Sequence, residues 1–153
     1  MRIWRLAKKQ YASSMNGEGA KLYGGRWNSM GKAVIYTATS LSLAVLEQLV
    51  RIDPDEIPDD FVQVEMEIPD TLQIDRVLLN EFPENWEKTS SQAWFQKRGN
   101  NWLEKQESVA MMVPSVIVPQ EENVLLNPAH DAIKQIRIIN IDSFCFDSRL
   151  FKV

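Results

Sequence analysis

Three side chains of different chemical type fall within the first third of the chain: Arg26, Tyr36 and Glu47. Arg26 follows the paired glycines Gly24-Gly25 and precedes Trp27-Asn28. Such a turn lets the backbone approach a ligand closely, and a guanidinium beside it offers a planar fork of donors to a phosphate. A carboxylate stabilises positive charge developing on a sugar carbon and binds sugar hydroxyls. A cation, an aromatic hydroxyl and a carboxylate that converge therefore suit a phosphate-bearing sugar substrate. Taken singly, each has a plainer reading: a surface arginine in a tight turn, a core tryptophan, a solvated glutamate at a helix edge.

These residues need elements to bring them together. Val34-Ile35-Tyr36-Thr37-Ala38 reads as a buried strand carrying Tyr36. Ser40 to Arg51 reads as a helix with Thr39 or Ser40 as N-cap. Leu43, Leu46, Leu49 and Val50 form its apolar face; Glu47 sits at the edge of that face, and Gln48 and Arg51 fall towards solvent. Further on, Val109 to Val113 is an apolar strand; Pro114-Ser115 interrupts it and Val116 to Val118 resumes it. The interruption aims Ser115, either at a ligand or at a local hydrogen bond that satisfies the kink.

The rest of the chain supplies the frame. Arg2 to Leu6 alternates as a half-buried strand. Tyr11 to Tyr23 reads as loop and holds Gly17-Glu18-Gly19, which lacks the leading strand and third glycine of a Rossmann turn. Asp53 to Asp60 is an acidic loop, and Phe61 to Ile68 alternates cleanly as a strand. Leu72 to Leu79 reads as a short strand and a helical turn, and Ser90 to Arg98 as a short helix stopped by Gly99. Val124 to Leu126 and Gln135 to Ile141 are the last strands, separated by the loop Asn127-Pro128-Ala129-His130. About seven short strands and two or three short helices in mixed order predict a single α+β domain over 1–153. Its sheet should be mixed and mainly antiparallel.

Composition narrows the function classes. The 153 residues carry a net charge of −4, which argues against nucleic-acid binding driven by phosphate neutralisation. One histidine and one cysteine do not make a zinc site, and a lone cysteine, Cys145, forms no internal disulfide; it reads as a buried small residue. The N-terminus shows no signal-peptide pattern and no apolar run approaches membrane-spanning length, so a cytoplasmic protein is expected.

Three segments, in order, resemble the RES domain family of bacterial toxins. They are Gly24-Gly25-Arg26-Trp27-Asn28 with Val34-Ile35-Tyr36-Thr37; Ser42 to Glu47; and Val113-Pro114-Ser115-Val116-Ile117-Val118-Pro119 running through Glu122-Asn123 to Leu126-Asn127-Pro128-Ala129-His130. Asp131 stands where the family commonly has proline. The Arg, Glu and Ser of the family name match Arg26, Glu47 and Ser115. The resemblance implies a fold similar to ADP-ribosyltransferase toxins and cleavage of the nicotinamide–ribose bond of NAD, which is a substrate and not a cofactor. The acceptor differs within the family: water or phosphate, making a glycohydrolase or phosphorylase, or a protein, making an ADP-ribosyltransferase. A non-catalytic nucleotide-binding module that keeps the fold is the reading from another class. On this resemblance Arg26, Tyr36, Glu47 and Ser115 are the catalytic set. Arg26, Trp27, Asn28, Tyr36 and Asn127 contact NAD; no metal is involved. Ser115 is assigned either to the nicotinamide ribose or to positioning the acceptor. The implied partner is an antitoxin with an Xre-like helix-turn-helix domain, with a homodimer within the toxin–antitoxin complex also admitted.

Overall fold

A computed structural model describes residues 1–152. Its seven strands are β1 (Arg2–Lys8), β2 (Ile35–Ala38), β3 (Phe61–Glu67), β4 (Ile74–Arg76), β5 (Ala110–Pro114), β6 (Glu122–Leu126) and β7 (Arg137–Ser143). They form one sheet in the order β4-β5-β6-β2-β1-β3-β7. Every pairing is antiparallel except that of β4 with β5. The helices are α1 (Glu18–Tyr23), α2 (Leu41–Leu49) and α3 (Gln92–Lys105). The architecture is the mainly antiparallel α+β fold that the pattern predicts.

Burial explains which strands alternate in sequence. β5 and β6 lie inside the sheet and are covered on both faces. Ala110, Met112, Val124 and Leu126 enter one core, while Met111, Val113 and Leu125 enter the other, under α3. β5 and the Val124–Leu126 part of β6 therefore read as unbroken apolar runs. β3 alternates because Val62, Val64 and Met66 are buried, while Glu65 and Glu67 on its other face pair with Arg2 and Arg137. α2 packs Leu41, Val45 and Leu49 against Leu6, Phe61 and Phe146, and Leu43 and Ala44 against Ala38. Its N-cap is Ser40, whose Oγ accepts from the Leu43 amide at 3.1 Å.

One seam in the sheet is nearly unpaired. β1 is joined to β3 over seven residue pairs, from Arg2↔Glu67 to Lys8↔Phe61. β1 and β2 meet at Trp4↔Ala38 alone. Past that point the two strands diverge, and a groove opens between the second half of β1 and the start of β2.

Several local expectations are corrected. The helix predicted to stop at Gly99 continues to Lys105. Gly99 is there for contact: a Cβ at this position would lie 1.8 Å from the Trp27 carbonyl oxygen. Val116 to Val118 does not resume a strand, because Pro114 ends β5 and the chain turns. The last strand starts at Arg137, after a turn of 3₁₀ helix over Asp131–Gln135. The supposed loop 11–23 contains α1, between Gly17 (φ 66°) and Gly24 (φ 70°). Cys145 is exposed, not buried. Among the described residues no helix is long and apolar enough to cross a membrane.

Candidate active site

Glu47 comes from the second turn of α2 and points into a cleft of about 230 Å³ that Arg26, Trp27, Tyr36, Arg51 and Asn123 also line. Its carboxylate is held on one side only. Ser115 Oγ donates to Oε1 at 2.8 Å, and Asn123 Nδ2 donates to the same oxygen at 2.6 Å. No protein donor is assigned to Oε2, which leaves that oxygen for a ligand.

Ser115 is fully buried. Its hydroxyl gives its proton to Glu47 and accepts from the amides of Ile117 (3.1 Å) and Val118 (3.0 Å). A hydroxyl has one donor and two acceptor sites, so this one is fully used. The break after β5 folds the next residues back over Ser115, and the serine orients the carboxylate.

Tyr36 is held in the same way. Its hydroxyl donates to Asn28 Oδ1 at 2.6 Å and accepts from the Trp27 amide at 3.0 Å. Burial pushes this phenol up to about 12, against the Trp27 hydrogen bond and the positive charges of Arg51 and Arg26, which favour the phenolate. Tyr36 therefore lines the cleft as a neutral phenol at neutral pH. Asn28, fully buried, donates to the carbonyls of Ala20 and Lys32. It ties the glycine turn to α1.

Arg26 is positioned by its backbone and by a ring. Gln92 donates to the Gly25 and Arg26 carbonyls and Gln96 to those of Gly25 and Asn28. The guanidinium lies 5.1 Å from the centroid of Phe95, a cation–π contact. Gly25 admits no side chain, since a Cβ would lie 2.7 Å from the Tyr36 hydroxyl. Burial lowers the affinity of Arg26 for its proton; Glu47 and Tyr36 oppose this and Arg51 adds to it. The group remains a cation.

The cleft thus gathers Arg26, Trp27, Tyr36 and Glu47, with Ser115 directly behind Glu47 and Asn28 behind Tyr36. Asn127 stands apart: it is 1% exposed, donates to the Leu103 carbonyl and accepts from the Ala129 amide. His130 accepts from the Ala132 amide and caps a 3₁₀ turn. Among the described residues no cluster of His, Cys, Asp or Glu could hold a metal ion.

Three site residues escaped the sequence reading. Asn123 is a polar residue entering a buried strand. Arg51 lies four residues after Glu47, on the same side of the helix end, and lines the cleft instead of pointing away. Arg5 sits where β1 and β2 part; its Nη2 donates to the carbonyls of Tyr11, Ala12 and Ser14, and its buried Nε has no partner. The chain has eight arginines. Arg2, Arg76, Arg98, Arg137 and Arg149 each pair with a carboxylate. Among the described residues, Arg5, Arg26 and Arg51 are in no ion pair, and all three line the connected hollows beside Glu47.

Comparison with known proteins places the chain in a family. The RES domain model matches residues 2–147. A Photorhabdus laumondii protein named "Toxin Res" is 42% identical over 154 residues, spanning 99% of this chain and 98% of its own. A protein of that name from Yersinia enterocolitica is 40% identical over 98% of this chain. A Sphingobium protein named "Prs ADP-ribosylating toxin" is 34% identical over 98% of this chain and 96% of its own. In fold, the chain is similar to one in the crystal structure of the M. tuberculosis MbcT–MbcA toxin–antitoxin complex. The TM-score is 0.73 at 14% identity, over 98% of this chain and 86% of that one. With the family model spanning nearly its whole length and full-length relatives at 40% identity and above, the chain belongs to the RES domain family.

Proposed function

We propose that this chain is the toxin of a toxin–antitoxin pair and that it cleaves the nicotinamide–ribose bond of NAD. The observation that carries the reading is the unpaired charge of the groove. Three arginines that are in no ion pair among the described residues stand around one carboxylate that keeps an oxygen free. A pyrophosphate supplies the missing negative charge, and a ribose placed at Glu47 Oε2 puts its anomeric carbon beside a carboxylate.

The chemistry then follows. The C–N bond breaks with its electron pair going to nicotinamide, which leaves as a neutral molecule and needs no acid. The ribose is left with oxocarbenium-like charge, which Glu47 stabilises. The ring of Tyr36 packs against the departing group; Trp27, 3% exposed, packs its own ring on Phe82, Trp94 and Phe95 and backs the cleft from the core. An acceptor with a proton to lose closes the reaction at the vacated carbon. The name of the Sphingobium relative favours transfer to a protein as a second reading, in place of water or phosphate. The partner on this proposal is an Xre-like helix-turn-helix antitoxin. Support for a partner of that kind is the resemblance in sequence and the fold shared with a chain of a toxin–antitoxin complex.

Incubation of the purified protein with NAD, following nicotinamide release with and without phosphate, tests the proposal. Free ADP-ribose, its 1″-phosphate and a modified protein separate the three acceptors. Glu47→Gln should lower turnover about a hundredfold or more, as for loss of one preorganised charge. Its amide oxygen can still accept from Ser115 and Asn123, so the fold is kept. Absence of nicotinamide release by the wild-type protein, or full turnover in the variant, would overturn the reading.

A further inference from the structure

The divergence of β1 and β2 produces a second hollow, of about 570 Å³, running from the catalytic cleft beneath α1. Its volume is in the range of small-molecule sites, roughly 300–1,000 Å³. Leu6, Val34, Ile35 and Tyr36 floor it. Three residues of its wall, Tyr11, Leu22 and Tyr23, are 58%, 60% and 83% exposed. Among the described residues neither tyrosine ring is in an aromatic pair; every such pair is made of phenylalanine or tryptophan rings.

The groove is built in advance. Arg5 holds the Tyr11–Ser14 segment by three carbonyls. Asn28 and the Gly24 amide bond the Ala20 carbonyl, and the Gly31 amide bonds that of Lys21, so α1 is tied to the glycine turn. Gly17 lies so close to Val34 that a Cβ would meet its backbone nitrogen at 2.8 Å.

We propose that this groove takes the adenosine half of the dinucleotide, with Tyr11 and Tyr23 as the rings that stack on the base. The inference rests on the reading above, and the direction of the ligand follows from it. The reacting ribose must lie at Glu47, in the narrower cleft with Trp27. The rest of the molecule must leave by the continuation of that cleft, which meets the groove at Arg5, Leu6, Tyr36 and Gln48. The pyrophosphate then passes the unpaired arginines, and the base arrives under two exposed rings. Glu18 is the one carboxylate among the lining residues, suited to accept from the ribose hydroxyls as acidic residues do in other dinucleotide sites.

The test uses adenosine 5′-monophosphate, which lacks the reacting bond, so binding is read whether or not NAD is cleaved. Wild-type protein should bind it in equilibrium dialysis and should shift the amide resonances of residues 17–23. The double variant Tyr11→Ser, Tyr23→Ser should bind it about tenfold or more weakly, the scale of lost base stacking, and Tyr11→Phe, Tyr23→Phe should restore binding. Both positions are exposed, so neither change threatens folding. Where NAD is turned over, the same factor should appear in KM, while inhibition by free nicotinamide stays unchanged. Wild-type affinity in the serine variant, or no binding of the monophosphate by the wild type, overturns the assignment. Failure of the NAD-cleavage reading shows instead as monophosphate binding with no nicotinamide release.

Discussion

At the scale of the residue, the site is a set of polar groups whose bonds are counted out. Glu47 Oε1 accepts two hydrogen bonds and Oε2 none from the protein; Ser115 spends its whole hydroxyl on Glu47 and two amides. This predicts that Asn123 tunes the carboxylate. Asn123→Asp would set a second carboxylate against Oε1, and two carboxylates at that distance hold a proton between them. The acid limb of the pH–rate profile should move up by about one unit or more. Asn123→Ala takes away one donor to the ionised carboxylate and should move the limb up by less, while also lowering the rate. An Asp variant with the wild-type profile would show that Asn123 does not tune the carboxylate. Tyr36 makes a separate prediction about stability. Its phenol is raised from 10.0 to about 12 in the folded state. The folded state therefore disfavours the phenolate, and the associated stability is complete below pH 10 and lost as pH rises towards 12. The loss is on the order of 2 kcal/mol. Denaturant titrations should show this decline in the wild type and not in Tyr36→Phe, which should already be about 1–2 kcal/mol less stable at pH 7 for want of the Trp27 and Asn28 bonds. Parallel curves above pH 10 would contradict it. Arg26, Tyr36 and Glu47 were legible as a group because their types are unusual together. Ser115 was legible as a position and not as a role, since either lone pair or proton of a serine can be used locally. Arg5 and Arg51 look like ordinary surface cations until one knows that no acid meets them.

At the scale of the element, the loop that carries Arg26 is held from α3, and Gly99 sets how closely. Alanine is the better helix former by about 1 kcal/mol. Yet a methyl group there would lie 1.8 Å from the Trp27 carbonyl oxygen, a backbone atom that cannot swing aside. The steric term decides the sign. Gly99→Ala should cost about 1–3 kcal/mol, the scale of overpacking in a core. It should also reduce NAD turnover by displacing Gln92 and Gln96 from the carbonyls of Gly25, Arg26 and Asn28. Thermal unfolding and steady-state kinetics on the variant check both parts; a gain in stability would mean that helix propensity outweighs the contact. The same residue shows where sequence reading fails. A glycine after seven or eight helical residues is a fair stop signal, and its partner, the Trp27 carbonyl, lies far away in sequence. By contrast β3 was legible because its alternation records its own two environments. α2 was legible from its cap and its apolar side.

At the scale of the whole molecule, the feature that opens the proposed binding groove is an omission in the sheet. β1 is well joined to β3, and β2 to β6 over four pairs, but the two halves are joined to each other at Trp4↔Ala38. No local pattern encodes that gap, because β1 and β2 each have the composition of a strand paired on both sides; the strand count and fold class could be read, the opening could not. A ligand that lies along the gap touches both halves, Arg5 and Leu6 on one and Tyr36 on the other, with Gln48 and Arg51 above. Binding to the folded state alone adds RT ln(1 + [L]/Kd), about 2.7 kcal/mol at a hundred times Kd. For a chain of this size each kcal/mol shifts the midpoint by roughly 2–4 °C. ADP-ribose at that concentration should therefore raise Tm by roughly 5–10 °C. The amides that gain most protection from hydrogen exchange should be those of β1 and β2 beside the gap, rather than those of β5 and β6 in the closed part of the sheet. Arg26→Ala should lose most of the shift while keeping its own unliganded Tm within a few degrees of wild type, since the Arg26 guanidinium makes no ion pair in the fold. Uniform protection across all seven strands would place the ligand elsewhere and detach the split sheet from the chemistry.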